Sequence, residues 1–415
     1  MGIKKLFTFL DNNNLYKKYS YLNDLISDLN IDKKKLLVGV DGNLFCYKYT
    51  HSYDNMLIGF FNQILKFLSN KIIPLYIFDG GTLQEKENTN LIRNHKKMIS
   101  KIKLEKIDEQ INLFETNDSD EFDYRDELLL IKKKLEKNST KINHEAINTL
   151  LELFDLLNIP YIFSYGEGEY LAVLLNKYNI INFFLTDDTD PIPAGINKTI
   201  KFYNNSVYYL ETKLIYDTLN LDIKQFCDLC ILFGSDYNVF NHGLKTNELY
   251  ELILKHKSIE EIINNKLLDN FDEQSLILID KIRNIYYNSA DFEKNLFIEN
   301  KDSFNINSTN SKSKNKYTIN SIIDHSNISF YSNIMLEYWD DFIYIISIEL
   351  NSKNQDNIII KSNTFKYNIC ESINKLKFNI KNIIKFIKYN IKDITNNEIE
   401  NIITSFEFLN TFGIF

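Results

Sequence analysis

The sequence predicts an α/β protein built on a mostly parallel, twisted central sheet flanked by helices, and three observations carry that expectation. Short apolar runs with the character of buried strands recur at Lys35–Asp41, Pro74–Asp79, Ile159–Phe163 and Ile180–Thr186. Helical stripes separate them, and strands joined through helices form parallel sheets with right-handed crossovers and both faces covered. Acids lie at or just beyond these runs, where the ligands of such sheets bind, at the carboxyl ends of the strands.

Taken in order, Lys35-Leu36-Leu37-Val38-Gly39-Val40-Asp41 reads as a buried strand closed by an acid. Apolar residues at 56, 57, 60, 61, 64, 65 and 68 then form a helical stripe between Asn55 and Ser69. Pro74-Leu75-Tyr76-Ile77-Phe78-Asp79 is a second strand, stopped by Gly80-Gly81. From about 85 to 140 the pattern changes to long charged helices, with Arg93, Lys96, Lys97, Lys101, Lys103 and Lys106 close together. His144–Asn158 reads as an amphipathic helix, Ile159–Phe163 as a third strand and Gly168–Tyr178 as a further helix. Ile180–Thr186 is a fourth strand and runs into Asp187-Asp188-Thr189-Asp190. Residues 222–264 are helical, with a break at Phe233-Gly234-Ser235-Asp236-Tyr237. Asn305–Asn320 is rich in Asn, Ser and Lys and poor in apolar residues, the composition of a linker or mobile loop. The remainder, to Phe415, is apolar enough to fold but carries no legible motif, and no internal repeat is visible.

Composition bounds the class. At about 150 residues per domain, 415 residues allow two or three domains. With 44% apolar and 25% charged residues the chain is an ordinary globular one. No apolar run approaches the ~18 residues of a membrane span, and the Leu6–Leu10 patch is too short for a signal peptide. Four cysteines make no disulfide framework and favour a reducing compartment. The net charge of −8 argues against coating nucleic acid by bulk charge, although a single basic face remains possible. Asn, Ile and Lys are abundant while Gly (12) and Pro (4) are scarce, the mark of AT-rich codon usage.

Taken singly, each acid is a solvated surface group. Together, Asp41, Asp79, Glu167, Glu169, Asp188 and Asp190 converge on one sheet edge if the sheet is parallel. Two like charges ~5 Å apart at an effective dielectric of ~20 repel by roughly 3 kcal/mol, so the cluster requires cations. Oxygen ligands without His or Cys select Mg²⁺ or Mn²⁺, and two such ions can clamp the attacking and leaving oxygens of a phosphodiester.

These residues resemble a known family. Met1-Gly2-Ile3-Lys4-Lys5-Leu6 is similar to the N-terminus of the flap endonuclease/XPG structure-specific nucleases. Val38-Gly39-Val40-Asp41 and Tyr76-Ile77-Phe78-Asp79-Gly80 resemble their first two acidic motifs. Tyr165-Gly166-Glu167-Gly168-Glu169-Tyr170-Leu171-Ala172 and Leu185-Thr186-Asp187-Asp188-Thr189-Asp190 resemble the next two. Cys227–Tyr237, with Asp236, is similar to the last. The resemblance runs from residue 1 to about 264. It implies a PIN-like core with a helical arch at about 85–140 and a helix-two turns-helix region at about 230–264, the core extending over 1–290. Residues 291–320 then form a linker or mobile loop, and 321–415 a C-terminal extension of unknown role.

The resemblance also implies roles. Asp41, Asp79, Glu167, Glu169, Asp188, Asp190 and Asp236 would hold two Mg²⁺ ions, with Mn²⁺ as a substitute, and Asp187 would not be a ligand. Lys86 and Arg93, seven and fourteen residues after Asp79, match the family's catalytic Lys and Arg, and two turns of one helix face separate them. Asp188 belongs with them in the catalytic set. Tyr47 would stack on a base beside the scissile phosphate, with core packing as the alternative. Gly2 would let the backbone approach DNA, and Lys96, Lys97 and Lys245 would contact it. The implied activity is divalent-metal-dependent endo- or exonuclease cleavage of 5′ flaps or related branched DNA.

Three departures accompany the likeness. Gly243-Leu244-Lys245-Thr246-Asn247-Glu248-Leu249 keeps only the first glycine of the family's duplex-binding, K⁺-binding turn. Pro191 and Pro193 follow Asp190, and no sliding-clamp motif is recognisable. These losses and the composition resemble the poxviral branch. That implies viral replication, recombination and double-strand break repair in the host cytoplasm, viral partner proteins and carriage in virions. Two alternatives stand beside this reading. One is a non-catalytic DNA-binding or recombination scaffold with a decayed site. The other is a phosphatase of the haloacid dehalogenase type, suggested by Phe184–Asp190 alone. Cys227 and Cys230 are expected as buried core thiols rather than half a zinc site.

Overall fold

The computed structural model describes residues 2–53, 55–81, 86–116, 122–139, 142–238, 240, 243–268, 271–299, 301, 338–375, 377–392 and 394–414. Among them one sheet holds β1 (Lys17–Tyr19), β2 (Leu37–Asp41), β3 (Ile73–Phe78), β4 (Tyr161–Phe163), β5 (Phe183–Leu185), β6 (Lys198–Tyr203) and β7 (Ser206–Glu211). Their spatial order is β1-β7-β6-β5-β2-β3-β4. The pairings β4-β3, β3-β2, β2-β5 and β5-β6 are parallel, whereas β6-β7 and β7-β1 are antiparallel. The sheet is therefore mixed, its parallel centre lengthened on one side by an antiparallel edge that the periodicity of the sequence does not announce. Leu37–Val40 and every residue of β3 are buried, as strands covered on both faces must be.

Helices surround this sheet. Before β2 lie α1 (Leu6–Asn12) and α2 (Leu22–Asp28); α3 (Gly42–Ser52) and α4 (Met56–Ser69) join β2 to β3. Next come α5 (Glu87–Thr116), α6 (Phe122–Ser139) and α7 (His144–Leu157), then α8 (Gly168–Lys177) between β4 and β5. After β7 follow α9 (Thr212–Leu219), α10 (Ile223–Phe233), α11 (Thr246–His256), α12 (Ile259–Asn264) and α13 (Glu273–Glu299). The last four are α14 (Trp339–Ser347), α15 (Gln355–Asn374), α16 (Ile380–Asn390) and α17 (Asn396–Phe412).

The caps follow from side-chain chemistry. Asp41, Asn55 and Asn143 accept the amides of Leu44, Leu57 and Ala146 and start α3, α4 and α7. Phe154 of α7 stacks on Tyr76 of β3 with centroids 4.4 Å apart, and burying one such ring contributes about 1.5–3 kcal/mol. Among the described residues, left-handed turns without glycine fall mostly to asparagine, with Lys5, Lys71, Lys257 and Lys266 as the others. Asn14, Asn30, Asn158, Asn179, Asn204, Asn205 and Asn220 all have positive φ. Asn204-Asn205 forms the two-residue loop of the β6–β7 hairpin, a position that asks for positive φ at both residues.

One expected boundary moves. The helix α13 runs from Glu273 through 290 to Glu299, so residues 291–299 are helix of the core rather than linker. The described residues of the C-terminal extension pack against the helices that flank the sheet, α4 and α8. Ser362 donates to the Tyr178 carbonyl at 2.6 Å, Asn55 to that of Asn390 at 3.1 Å, and Phe61 packs against Phe386 and Phe406. The Asn305–Asn320 stretch lies outside the described residues. The long charged helices of the expected arch are α5 and α6, which pack on one another and are tied by Lys132–Asp108 at 2.7 Å.

Candidate metal and phosphate site

Parallel strands β2, β3 and β4 step away from β5 and β6, so the order reverses between β2 and β5. A crevice opens outside the carboxyl ends at such a switch point. Asp41 ends β2 there and Asp188 follows β5. One Asp41 oxygen caps α3 and the other accepts the Thr186 hydroxyl at 2.8 Å. Asp79, just after β3, accepts the Gly168 amide at 2.7 Å and the Asn43 side-chain amide. Glu167 is the residue before α8 and Glu169 lies in its first turn. The Glu-x-Glu spacing thereby presents both carboxyls at one helix start.

Asp188-Thr189-Asp190 forms a tight turn in which Asp188 Oδ1 accepts the Thr189 amide at 2.6 Å and the Asp190 amide at 3.3 Å. The N-terminal segment is stitched beside it: Ile3 donates to Thr189 Oγ1 at 2.9 Å and Lys4 to the Gly234 carbonyl at 2.8 Å. Gly2 has φ +76°, and a Cβ there would stand 1.9 Å from Asp188 Oδ1. Its need for glycine arises against the acidic turn itself.

The carboxylates feel one another. Burial, and then the Asp79 and Asp188 charges, push the Asp41 carboxyl up to about 7. Burial, and then Asp188, Asp236 and Glu167, push Asp190 up to about 8. Asp79 and Glu169 are raised for the same reasons. Two cations reach in from the arch side. Buried Lys86 bonds Glu167 at 2.7 Å and lies 3.7 Å from Asp190. Burial opposes its charge, but Glu169, Asp190 and Glu167 outweigh that and hold the ammonium well above the usual lysine range. Arg93 pairs with Asp236 at 2.5 Å. Seven carboxylates against these two cations leave excess negative charge, and Glu169 Oε2 and Asp190 Oδ2 are buried without a hydrogen-bond partner. This all-oxygen donor set fits hard divalent cations. Among the described residues no three such side chains close into a ready-made cage, with the Lys86 ammonium seated between Glu167 and Asp190.

The structure thus brings Asp41, Asp79, Glu167, Glu169, Asp188, Asp190, Asp236, Lys86, Arg93 and Gly2 together. Tyr47, half exposed on α3, lies at the rim within the field of Asp79 and Arg93, with the Lys97 ammonium 5.1 Å above its ring. Lys96 is exposed on α5, and Lys245 is exposed at the start of α11, outside the acidic cluster. Asp187 turns to Lys48 at 2.9 Å and Lys201 at 4.0 Å. Cys227 and Cys230 are buried, free thiols of α10.

Sequence reasoning missed the groups that hold the acids. Asn43 and Thr186 sit within two residues of motif acids, a signal that was available. Tyr237, whose hydroxyl reaches Glu167 at 3.4 Å, ends the last acidic motif, whereas Tyr286, 3.4 Å from Asp190, and Glu293 of α13 gave no signal at all.

Residues 1–99 match the family model of the XPG N-terminal domain, and residues 158–236 that of the XPG I-region. Flap endonuclease 1 of Enterocytozoon bieneusi (strain H348) is 26% identical over 278 residues, 63% of this chain and 72% of that protein. The probable RAD2-like endonuclease 369L of Invertebrate iridescent virus 6 is 24% identical over 328 residues, 67% of this chain and 77% of that protein. Among solved structures, the catalytic core of Rad2 in complex with DNA substrate is similar at 15% identity and TM-score 0.49, covering 98% of this chain and 100% of that one.

Proposed function

Because the chain belongs to the flap endonuclease/XPG family of nucleases, we propose that it hydrolyses phosphodiester bonds at 5′ flaps or related branched DNA. The observation that carries this reading is the set of seven carboxylates gathered at the switch point, with Lys86, just before α5, and Arg93 of α5 paired to them. Asp41, Asp79, Glu167, Glu169, Asp188, Asp190 and Asp236 would hold two divalent ions, Mg²⁺ or its substitute Mn²⁺. Those ions, when bound, supply a water of lowered pKa and Lewis-acid stabilisation of the phosphate oxygens.

The chain's own residues do the rest. The scissile phosphate carries negative charge toward an acidic edge, so it needs fixed cations there. Arg93 offers a planar fork of donors and Lys86 a compact charge, and both stabilise charge that grows on the phosphate oxygens. The Tyr47 ring at the rim offers a stacking face for the neighbouring base, a contact of about 1–3 kcal/mol. Lys96 and Lys97 on α5 supply phosphate contacts near the site, and Lys245 one further away. The AT-type composition and the iridescent-virus relative support a viral setting, of the poxviral kind, in genome replication, recombination and break repair in host cytoplasm. Among the described residues no helix is long and apolar enough to cross a membrane.

The test is a labelled 5′-flap duplex incubated with the protein, with and without Mg²⁺, beside Asp188→Ala. Cleavage near the branch that needs both the metal and Asp188 is expected. Tight binding without cleavage in Mg²⁺ or Mn²⁺ would overturn the enzymatic reading in favour of a DNA-binding scaffold.

A further inference from the structure

The helix α13 lies beyond both matched segments and carries none of the acidic motifs, yet one of its faces touches three of the acid-bearing segments. Arg283, Tyr286, Ala290, Glu293 and Phe297 recur at three- and four-residue spacing, so they share that face. Arg283 pairs with Asp228 of α10 through two 2.7 Å bonds. The Tyr286 hydroxyl lies 3.4 Å from Asp190 Oδ1. Glu293, 2% exposed, accepts the Tyr165 amide at 3.0 Å and the Gly166 amide at 2.6 Å.

Those two amides belong to the loop that delivers Glu167 and Glu169. The other side of the loop is also held: the Gly166 carbonyl accepts the amides of Gly80 and Gly81, directly after Asp79. The peptide is therefore clamped between the end of β3 and α13. Approach is close on the helix side, since a Cβ on Gly166 would stand 3.0 Å from Glu293 Oε1.

The residue type carries the argument. Glutamine has the same shape and would add no charge to a site already crowded with carboxylates. It offers one acceptor and one donor, however, whereas the two amides address different oxygens of Glu293, Tyr165 to Oε2 and Gly166 to Oε1, and only a carboxylate accepts at both. A buried acid beside repelling acids is explained by what it holds.

We propose that Glu293 is a positioning residue of the nuclease site, fixing the Tyr165–Gly166 peptide and through it the carboxyls of Glu167 and Glu169 for divalent-ion binding. This inference rests on the nuclease reading. Outer partners that orient metal ligands typically matter by about 10–100-fold in metal affinity or activity, and that is the loss expected here.

The experiment measures Mn²⁺ affinity by electron paramagnetic resonance of free Mn²⁺, flap-cleavage kcat and KM, and melting temperature. It compares the full chain with Glu293→Gln, Gly166→Ala and the double variant. Glu293→Gln should weaken Mn²⁺ binding and lower kcat while leaving KM for the flap in place, and excess Mn²⁺ should restore part of the rate. Gly166→Ala presses on the same pair from the loop side and should act in the same direction, less than additively with Glu293→Gln. If Glu293→Gln does not fold, Gly166→Ala alone must lower Mn²⁺ affinity. A lowered melting temperature with unchanged Mn²⁺ affinity and kcat, or full additivity, would overturn the assignment. A parent chain that neither binds Mn²⁺ nor cleaves would instead overturn the nuclease reading, and this inference with it.

Discussion

Replacing Lys86 by methionine removes the ammonium shared by Glu167 and Asp190, and the structure sets the size of the effect. The three side chains are 9%, 6% and 0% exposed. Removing one member of so buried an ion pair costs about 3–5 kcal/mol, because the partner charges stay behind. At ~2.1 cal/mol/K per residue, unfolding this chain carries an entropy near ~0.9 kcal/mol/K, so Tm should fall by about 3–6 °C. The assay is calorimetry in EDTA at about pH 8, compared with about pH 5.5. Asp41 and Asp190, pushed up to about 7 and about 8, gain protons on folding, unlike a free carboxyl near ~4. Without cations, stability therefore falls as pH rises from ~4 toward ~8, and the Lys86→Met loss should be larger at the higher pH. Saturating Mn²⁺ should return part of it, about 2.7 kcal/mol at a hundredfold excess over Kd. An unchanged Tm in EDTA at the higher pH would refute the idea that Lys86 neutralises the cluster. So would a loss that does not depend on pH.

Gly2→Ala places a Cβ against Asp188 in a left-handed conformation that costs about 1–2 kcal/mol. Single-turnover cleavage should slow by about 100-fold through the displaced carboxylate, while Tm falls only slightly; an unchanged rate would show that the N-terminal segment yields freely. Lys366 of α15 is 1% exposed, and burial first lowers its ammonium to about 8 from 10.5. The unfolded chain binds more protons between those values, so the parent gains about 3 kcal/mol as pH rises through that window. Lys366→Met should melt above the parent at neutral pH, with the gap closing toward about pH 10, and a gap that ignores pH would exclude the assignment.

The strands that carry acids were legible because a continuous apolar run is a strong signal and the acid that ends it is a local one. Leu37–Asp41 and Ile73–Phe78 appear within two residues of where the sequence put them. The antiparallel edge was not legible. Its hairpin turns on Asn204-Asn205 without a glycine, and β1 is three residues long with exposed lysines. The acids themselves could be named, but their supports could not. Tyr286 and Glu293 act across about a hundred residues of chain separation, and nothing in the periodicity of α13 distinguishes a residue facing the site from one facing the core. The boundary near 290 failed for a related reason: the fall in apolar content comes after the helix has already packed.

The asparagines at left-handed turns have a consequence for how this chain evolves. A genome under pressure toward A and T erodes glycine codons and favours asparagine ones, and asparagine is the side chain that tolerates positive φ best after glycine. Selection can then let composition drift at turn after turn, from Asn14 to Asn220, because each exchange removes only a small part of the margin above the unfolding threshold. Gly2 stands where that drift must stop, since no asparagine fits beside Asp188. Gly166 and Gly168, set against Glu293 and Asp79, stand with Gly2 as glycines whose space is taken by the carboxyls of the site.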